Sequence, residues 1–403
     1  MFTKLARTKV FRDPIYGYIE VDYKIISDLI DSKEVQRLRR IRQLSGVAMV
    51  FQTAEHSRFP HSLGAYMMAK LVCQNVEGMN DISEYEKLIF QIAALLHDVG
   101  HGPYSHAFES VLGIFHEEMT TKIILSNQSE INQILNKNSE NIAPDVANII
   151  AHGGKYPLIE QFISSSLDVD RLDFLQRDAY FTGAVYGRVD FIRILRSMKI
   201  IDKKLLIRAS GVNSIESYLM ARYHMYFQVY YHPVARSYEY LLENIFKRII
   251  DLKEEGKSLT NANYFFNVLK NKNDISSYIE LDDAYVNGLI KQFCKSKDHI
   301  LNTLSNAFIH RNLYECIDLS NEPSIETINE IKKSYNEEEL KYYFVESKIS
   351  GAAYFESKKS AINDIKILLL NGKIKSLEDY SPIIKGLITS SVRTIERIHY
   401  FKK

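Results

Sequence analysis

The apolar positions of this chain keep two different rhythms. From Lys9 to Val21 the sequence KVFRDPIYGYIEV places two short β-prone runs around Asp13-Pro14 and Gly17, which predicts an N-terminal β-hairpin. From about Ile25 to Val234 the spacing lengthens to three or four, as in Leu38, Ile41 and Leu44, in Leu63, Met67 and Leu71, and in Ile92, Leu95 and Leu96. That period predicts a stack of amphipathic helices, with Gly and Pro falling mainly between them. Asn213 followed by Glu216 offers a capping-box-like start for a helix running to about His232, where Pro233 predicts a stop. After about Glu239 the chain turns polar and rich in Lys, Asn and Glu, with helical segments near 240–253, 283–293 and 324–338. An Asn371-Gly372 turn between Ile365–Leu370 and Lys373–Lys375 predicts a late hairpin, to which Arg397–Phe401 would add a third strand. The expected fold is mainly α: a hairpin arm over 1–24, a helical bundle over 25–240 and a smaller α+β lobe over 241–403.

Composition narrows the functional classes. With 403 residues, 46% apolar and 25% charged, the chain can bury a sizeable core, and disorder is excluded as a description. Fifty-one Lys and Arg against fifty Asp and Glu leave a net charge of +1, so no global field draws in nucleic acid or anionic membrane, and any polyanion site must be local. Cys73, Cys294 and Cys316 are scattered and none forms a C-x-x-C pair, which argues against a disulfide framework or a thiolate zinc site and fits a reducing cytoplasm. The basic start from Met1 to Val10 is followed by no apolar core run, and no window approaches ~18 uncharged apolar residues, so secretion and membrane spanning are both disfavoured.

The chemistry is concentrated. Half of the twelve histidines lie between His56 and His116, interleaved with acids. A lone histidine beside an apolar run is ordinarily structural; this cluster is not a lone histidine. In AALLHDVGHGPYSHAFE an Ala/Leu helix delivers His97 and Asp98 side by side and then breaks at Gly100, Gly102 and Pro103. Adjacent helical residues project about 100° apart, so the pair can share a site only at its edge. Imidazole and carboxylate without thiolate suit one divalent ion, with Fe, Mn, Zn, Ni and Mg all open. RFPHS supplies His61 upstream, and DVDRLDFLQRD, from Asp168 to Asp178, supplies acids downstream. A bare H-D is weak; the set H…HD…D is not.

These motifs resemble the HD-domain phosphohydrolases. HSRFPHSLG, HDVGHGPYSHAF and DVDRLDFLQRD are similar to the deoxynucleotide triphosphohydrolase branch, over roughly residues 9–240. The resemblance implies an HD-domain helical bundle in which His61, His97, Asp98 and Asp170 hold the metal. It further implies hydrolysis at the α-phosphorus of a deoxynucleoside triphosphate, releasing deoxynucleoside and tripolyphosphate. His101, His106, Glu109 and His116 would surround the reacting phosphate, His106 protonating the departing 5′ oxygen with Glu109 three residues on, and His116 pairing with Glu117 in the same way. Arg58, Arg171 and Arg222 would neutralise the triphosphate, with an additional Mg ion carried by it. Phe174 and Tyr230 would meet sugar and base, Asp178 the 3′-hydroxyl, and Gln43 and Leu44 the floor, with Leu44 and Tyr230 leaving no room for a 2′-hydroxyl. The plainer reading of the aromatic stripes is core packing.

Two departures from the pattern stand out: Phe174 replaces a tyrosine, removing one hydroxyl, and Pro233 replaces a lysine of the SAM-and-HD branch's regulatory nucleotide pocket. Asp31, Gln36 and Arg39 match positions that read a guanine there, and Lys9, Val50 and Phe51 match a second pocket, implying a GTP or dNTP activator in a homo-oligomer, dimer or tetramer. DSKEVQRLRR reads equally as an ordinary charged helix start. No SAM domain is expected ahead of Lys9. The alternatives are another HD phosphohydrolase acting on nucleoside monophosphates or signalling nucleotides, disfavoured by the three arginines, and a nucleic-acid-binding scaffold with a structural metal, disfavoured by the even spread of Lys and Arg.

Overall fold

The computed structural model describes residues 2–259, 261–350, 365–389 and 394–402. Strands β1 (Lys4–Asp13) and β2 (Gly17–Tyr23) form the expected antiparallel hairpin, with Asp13 opposite Gly17. Its turn is set by Asp13, whose Oδ1 accepts the amides of Ile15 and Tyr16 at 2.8 and 3.1 Å, and by Gly17 at φ 72°.

Helices α1 (Lys24–Asp31) and α2 (Lys33–Arg37) lead into α3 (Arg58–Asn75), α4 (Glu84–Leu96), α5 (His106–Leu112) and α6 (His116–Leu125). Three further helices, α7 (Glu130–Asn138), α8 (Ile142–Ile150) and α9 (Pro157–Ile163), precede α10 (Val169–Thr182). Helix α4 starts at a full capping box, Ser83 with Glu86, and is buried continuously from Leu88 to Leu96, so it runs through the core with α3 against it. Helix α10, capped by Asp168, packs on the other flank of α3. The order α4–α3–α10 brings the three motif segments together.

Beyond α11 (Phe191–Ser197) and strands β3 (Met198–Ile201) and β4 (Lys204–Arg208), the expected long helix is divided. Helix α12 (Val212–Met225) begins at Gly211 without a side-chain cap, and Glu216 instead accepts the Ser381 hydroxyl, so the Asn213–Glu216 box does not form. Its end widens into a π-helical turn at Tyr226–Tyr230. Pro233 then opens α13 (Pro233–Glu254) at a first-turn position, where its missing N–H costs nothing. The proline is a start as well as a stop.

In the remaining described chain, helices Asp283–Phe293 and His299–Ile309 follow, and the second packs on α13. Strands β5 (Glu315–Asp318), β6 (Phe344–Ser350), β7 (Lys366–Leu368), β8 (Ile374–Ser376) and β9 (Thr394–Tyr400) complete two sheets, ordered β3-β4-β7-β8 and β5-β9-β6. The β7–β8 hairpin turns at Gly372, φ 79°, as expected. Strand β9 does not join it; it lies between β5 and β6, where buried His399 faces α13 through Ser237 and Tyr240. One buried apolar cluster runs from Ile19 to Phe401. Among the described residues no helix is long and apolar enough to cross a membrane.

Candidate metal and substrate site

His61 stands on the first turn of α3, His97 and Asp98 at the end of α4, and Asp170 on the first turn of α10. Their donor atoms converge. His61 Nε2 lies 3.3 Å from His97 Nε2, 3.1 Å from Asp170 Oδ1 and 3.7 Å from Asp98 Oδ2, and His97 Nε2 lies 3.3 and 3.5 Å from Asp98 and Asp170. His97 Nδ1–H donates to the Ala94 carbonyl at 2.8 Å and His61 Nδ1 bonds the Asp173 carboxylate at 2.8 Å, so both Nε2 lone pairs face the common centre. Two imidazoles and two carboxylates, oriented by their outer bonds, fit a divalent ion. Burial lowers the His61 imidazole, but among these donors alone the hydrogen bonds to Asp170 and Asp173 outweigh it and bring it to about 10, so a divalent ion binds in place of the Nε2 proton. Burial raises Asp170, and its bonds from the two histidines hold it well below the ordinary carboxylate value.

A layer behind the ligands fixes them. Fully buried Asp173 also accepts Arg177 Nε and Nη2 at 2.9 Å each and the Tyr16 hydroxyl at 2.8 Å, while Arg177 Nη1 reaches Asp13 at 2.8 Å. The hairpin turn is thereby wired to His61, a candidate metal ligand. Space for this is left by Gly64, where an added Cβ would stand 1.9 Å from Asp173 Oδ1.

Beside the ligands, Arg58 is buried, with Nη1 2.5 Å from Asp98 and Nε 2.9 Å from Ser105 Oγ. His101 Nε2 lies 3.3 Å from Asp98 Oδ1, and its ring stacks on His116 at 3.8 Å. Burial, then the charges of Arg58 and His116, push the His101 imidazole well below 6.5, so it is neutral. Glu109 binds His106 Nδ1 at 3.0 Å and His116 Nδ1 at 2.6 Å. The expected partner of His116, Glu117, is exposed; the carboxylate that orients the ring comes from one helix back.

These groups border a cavity of about 470 Å³. Asp98, Asp170, Arg58, Arg171, His101, His106 and His116 line one part of it, and Gln43, Leu44, Phe174, Asp178 and Tyr230 line another. Arg171 is anchored on Asp168 and on the Ser165 carbonyl at 2.9 Å. Arg222 is buried with its guanidinium carbon 5.9 Å from the Tyr226 ring centroid; Tyr226 lines the cavity and Arg222 does not. Asp178, 1% exposed, receives the Tyr230 hydroxyl at 2.7 Å and bonds His56 Nε2 at 2.8 Å, while His56 stacks on Phe181 at 4.4 Å.

Asp31, Gln36 and Arg39 lie apart from this cavity. Asp31 pairs with Lys9 at 2.7 Å, Gln36 donates to the Ile30 carbonyl at 2.7 Å, and Arg39 donates to Gln36 Oε1 at 2.8 Å while covering Phe59 at 3.6 Å. Arg39 and Phe59 line a second, open cavity of about 600 Å³ that also reaches Asp13 and His56. Sequence reasoning missed Asp13, Tyr16, His56, Asp173 and Arg177 as parts of the site. Asp173 and Arg177 sit inside the DVDRLDFLQRD motif that was singled out, and Asp13 and Tyr16 sit in the hairpin turn; their partners are distant in sequence, so spacing gave no signal.

The HD domain matches residues 58–178 and the HD associated region matches 189–278. The chain belongs to the HD-domain phosphohydrolase family. The uncharacterized protein YwfO of Bacillus subtilis is 38% identical over 406 residues, 99% of this chain and 93% of its own. The deoxynucleoside triphosphate triphosphohydrolase SAMHD1 homolog of Dictyostelium discoideum is 30% identical over 342 residues, 79% of this chain and 61% of its own. The crystal structure of a phosphohydrolase from Bacteroides thetaiotaomicron superposes with a TM-score of 0.86 at 27% identity, covering 98% of this chain and 100% of that one.

Proposed function

We propose that the protein is a metal-dependent deoxynucleoside triphosphate triphosphohydrolase. The observation that carries this reading is one cavity lined by the donors Asp98 and Asp170, by Arg58 and Arg171 and by His101, His106 and His116, together with Leu44, Phe174, Tyr230 and Asp178. His61, His97, Asp98 and Asp170 would hold a divalent ion, which would supply polarisation of a phosphoryl oxygen and acidification of water. Arg58 and Arg171 face the triphosphate with fixed guanidinium groups. His106, oriented by Glu109, is placed to protonate the departing 5′ oxygen. Asp98, His101 and His116, whose ligand atoms lie within 4.8 Å of one another, suit a further Mg ion brought by the triphosphate. Asp178 accepts the 3′-hydroxyl, and Leu44 with Tyr230 closes the space a 2′-hydroxyl needs. The open cavity at Arg39 and Phe59 supports a regulatory nucleotide, GTP or a dNTP, acting in a homo-oligomer. The relative from Dictyostelium, by its printed name, supports the substrate class.

The test is product analysis. Purified protein with each dNTP and Mn, Mg or Fe, with and without GTP, is expected to release tripolyphosphate and deoxynucleoside. Pyrophosphate with a nucleoside monophosphate as products refutes attack of water at the α-phosphorus with the deoxynucleoside 5′ oxygen as leaving group.

A further inference from the structure

The stretch Tyr278–Asp283 carries no catalytic motif, yet it grips both loops that wall the cavity. The Tyr278 hydroxyl donates to the Gly100 carbonyl at 2.6 Å, the Leu281 carbonyl accepts buried Arg37 at 2.6 and 2.9 Å, and Asp282 pairs with Arg40. Asp283 is the centre of this clasp. Only 5% exposed, it accepts the Arg42 amide N–H at 2.9 Å on one oxygen and the Tyr104 amide N–H at 2.7 Å on the other. Both oxygens are spent on main chain. Arg42 leads directly into Gln43 and Leu44, and Tyr104 into Ser105 and His106, so one carboxylate ties the sugar side of the cavity to its phosphate side.

The second loop needs such a tie. Tyr104 and Ser105 sit at φ 54° and 49°, a conformation that is strained for a non-glycine residue and persists only where surroundings enforce it. Ser105 Oγ accepts Arg58 Nε at 2.9 Å, and Arg58 in turn holds ligand Asp98 at 2.5 Å. The carboxylate is also kept against its own preference: burial pushes Asp283 up to about 6, opposed by the two amide bonds and the Arg42 charge. A costly buried acid with two amide partners from loops 62 residues apart is a device for holding those loops at one separation.

We propose that Asp283 is a positioning residue of the catalytic cavity, setting the distance between the Gln43–Leu44 wall and the Ser105–His106 wall. The inference rests on the cavity being the dNTP site. The candidate metal donors stand on α3, α4 and α10 and none bonds Asp283, so loosening the clasp is expected to leave metal content intact and to misplace a substrate that touches both walls.

The experiment compares wild type and Asp283→Asn, which keeps one acceptor, as Mn-loaded proteins at 25 °C. Expected for the variant are unchanged Mn content, unchanged binding of inorganic tripolyphosphate by calorimetry, and kcat/KM for dNTP lowered roughly 10- to 100-fold, the cost of misplacing reacting groups by about 1 Å. Wild-type kcat/KM in the variant overturns the proposal, as does parallel loss of tripolyphosphate binding, which marks general unfolding of the site. A second measurement needs no variant: in the wild type the Arg42 and Tyr104 amides are expected to exchange with deuterium slowly and at one common rate, and exchange of either at the rate of an exposed amide overturns the clasp. If wild type releases no tripolyphosphate at all, the substrate reading fails while the amide-exchange result still decides the clasp.

Discussion

Replacement of Asp173 by Asn tests whether the layer behind the metal ligands does more than fill space. Asp173 accepts four hydrogen bonds, one from His61 Nδ1, two from Arg177 and one from Tyr16, and is 0% exposed. Asn has one acceptor oxygen. Arg177 donates to both Asp173 oxygens, Nε to the one that His61 meets and Nη2 to the other, so either placement of the amide sets its NH2 against a guanidinium N–H and loosens the hold on His61. Asn also removes the negative charge that keeps the His61 proton on Nδ1, so the lone pair aimed at the metal is held less firmly there. Outer partners of this kind are worth about 10- to 100-fold in metal affinity, or about 1.4–2.7 kcal/mol. Asp13→Asn is the control: it weakens the other Arg177 bond, at 2.8 Å, by about 1.5–3 kcal/mol of stability and leaves the His61–Asp173 contact in place. The assay is Mn titration by calorimetry, with metal content after dialysis, alongside urea unfolding. D173N is expected to lose both metal affinity and stability, D13N stability alone. If D173N binds Mn within twofold of wild type while remaining folded, the orientation argument is wrong.

Two further outcomes follow from particular contacts. Leu44→Ala opens the cavity floor that excludes a 2′-hydroxyl, so the ratio of ribo- to deoxynucleotide kcat/KM is expected to rise by roughly 10-fold, the scale of about 1–3 kcal/mol that a hydrophobic pocket discriminates; an unchanged ratio removes Leu44 from the selectivity account. Buried His399, pushed from 6.5 down to about 3 by burial and then by the charges of Arg397 and Arg236, must stay neutral in the fold. The unfolded chain takes up a proton below pH 6.5 that the folded chain refuses, so stability is full above that pH and falls toward pH 3, by about 2 kcal/mol at pH 5. Urea midpoints of wild type and His399→Leu between pH 7 and 5 should differ in slope accordingly, and parallel slopes would show that His399 is not the group responsible.

The amino-acid sequence by itself determined the type of most elements and the candidate metal donors. Leu and Ile at helical spacing need a common apolar face, and the hairpin is local because Asp13 and Gly17 sit within one turn. His61, His97, Asp98 and Asp170 were legible as candidates because imidazole and carboxylate in such long motifs have few other uses, and their donor atoms do come together. Tertiary structure decided what depends on partners far apart in the chain. Glu109 rather than Glu117 orients His116 because α5 and α6 fold back on one another across Gly113. Strand β9 left the nearby β7–β8 hairpin because its buried face fits α13, and β-propensity carries no address. Pro233 changed meaning because a proline forbids the preceding helix to continue and equally suits the first turn of the next. Asp13, Asp173 and Asp283 were invisible as site residues for one physical reason: a carboxylate's role is set by the donors that surround it, and theirs arrive from segments that only the packed molecule brings within 3 Å.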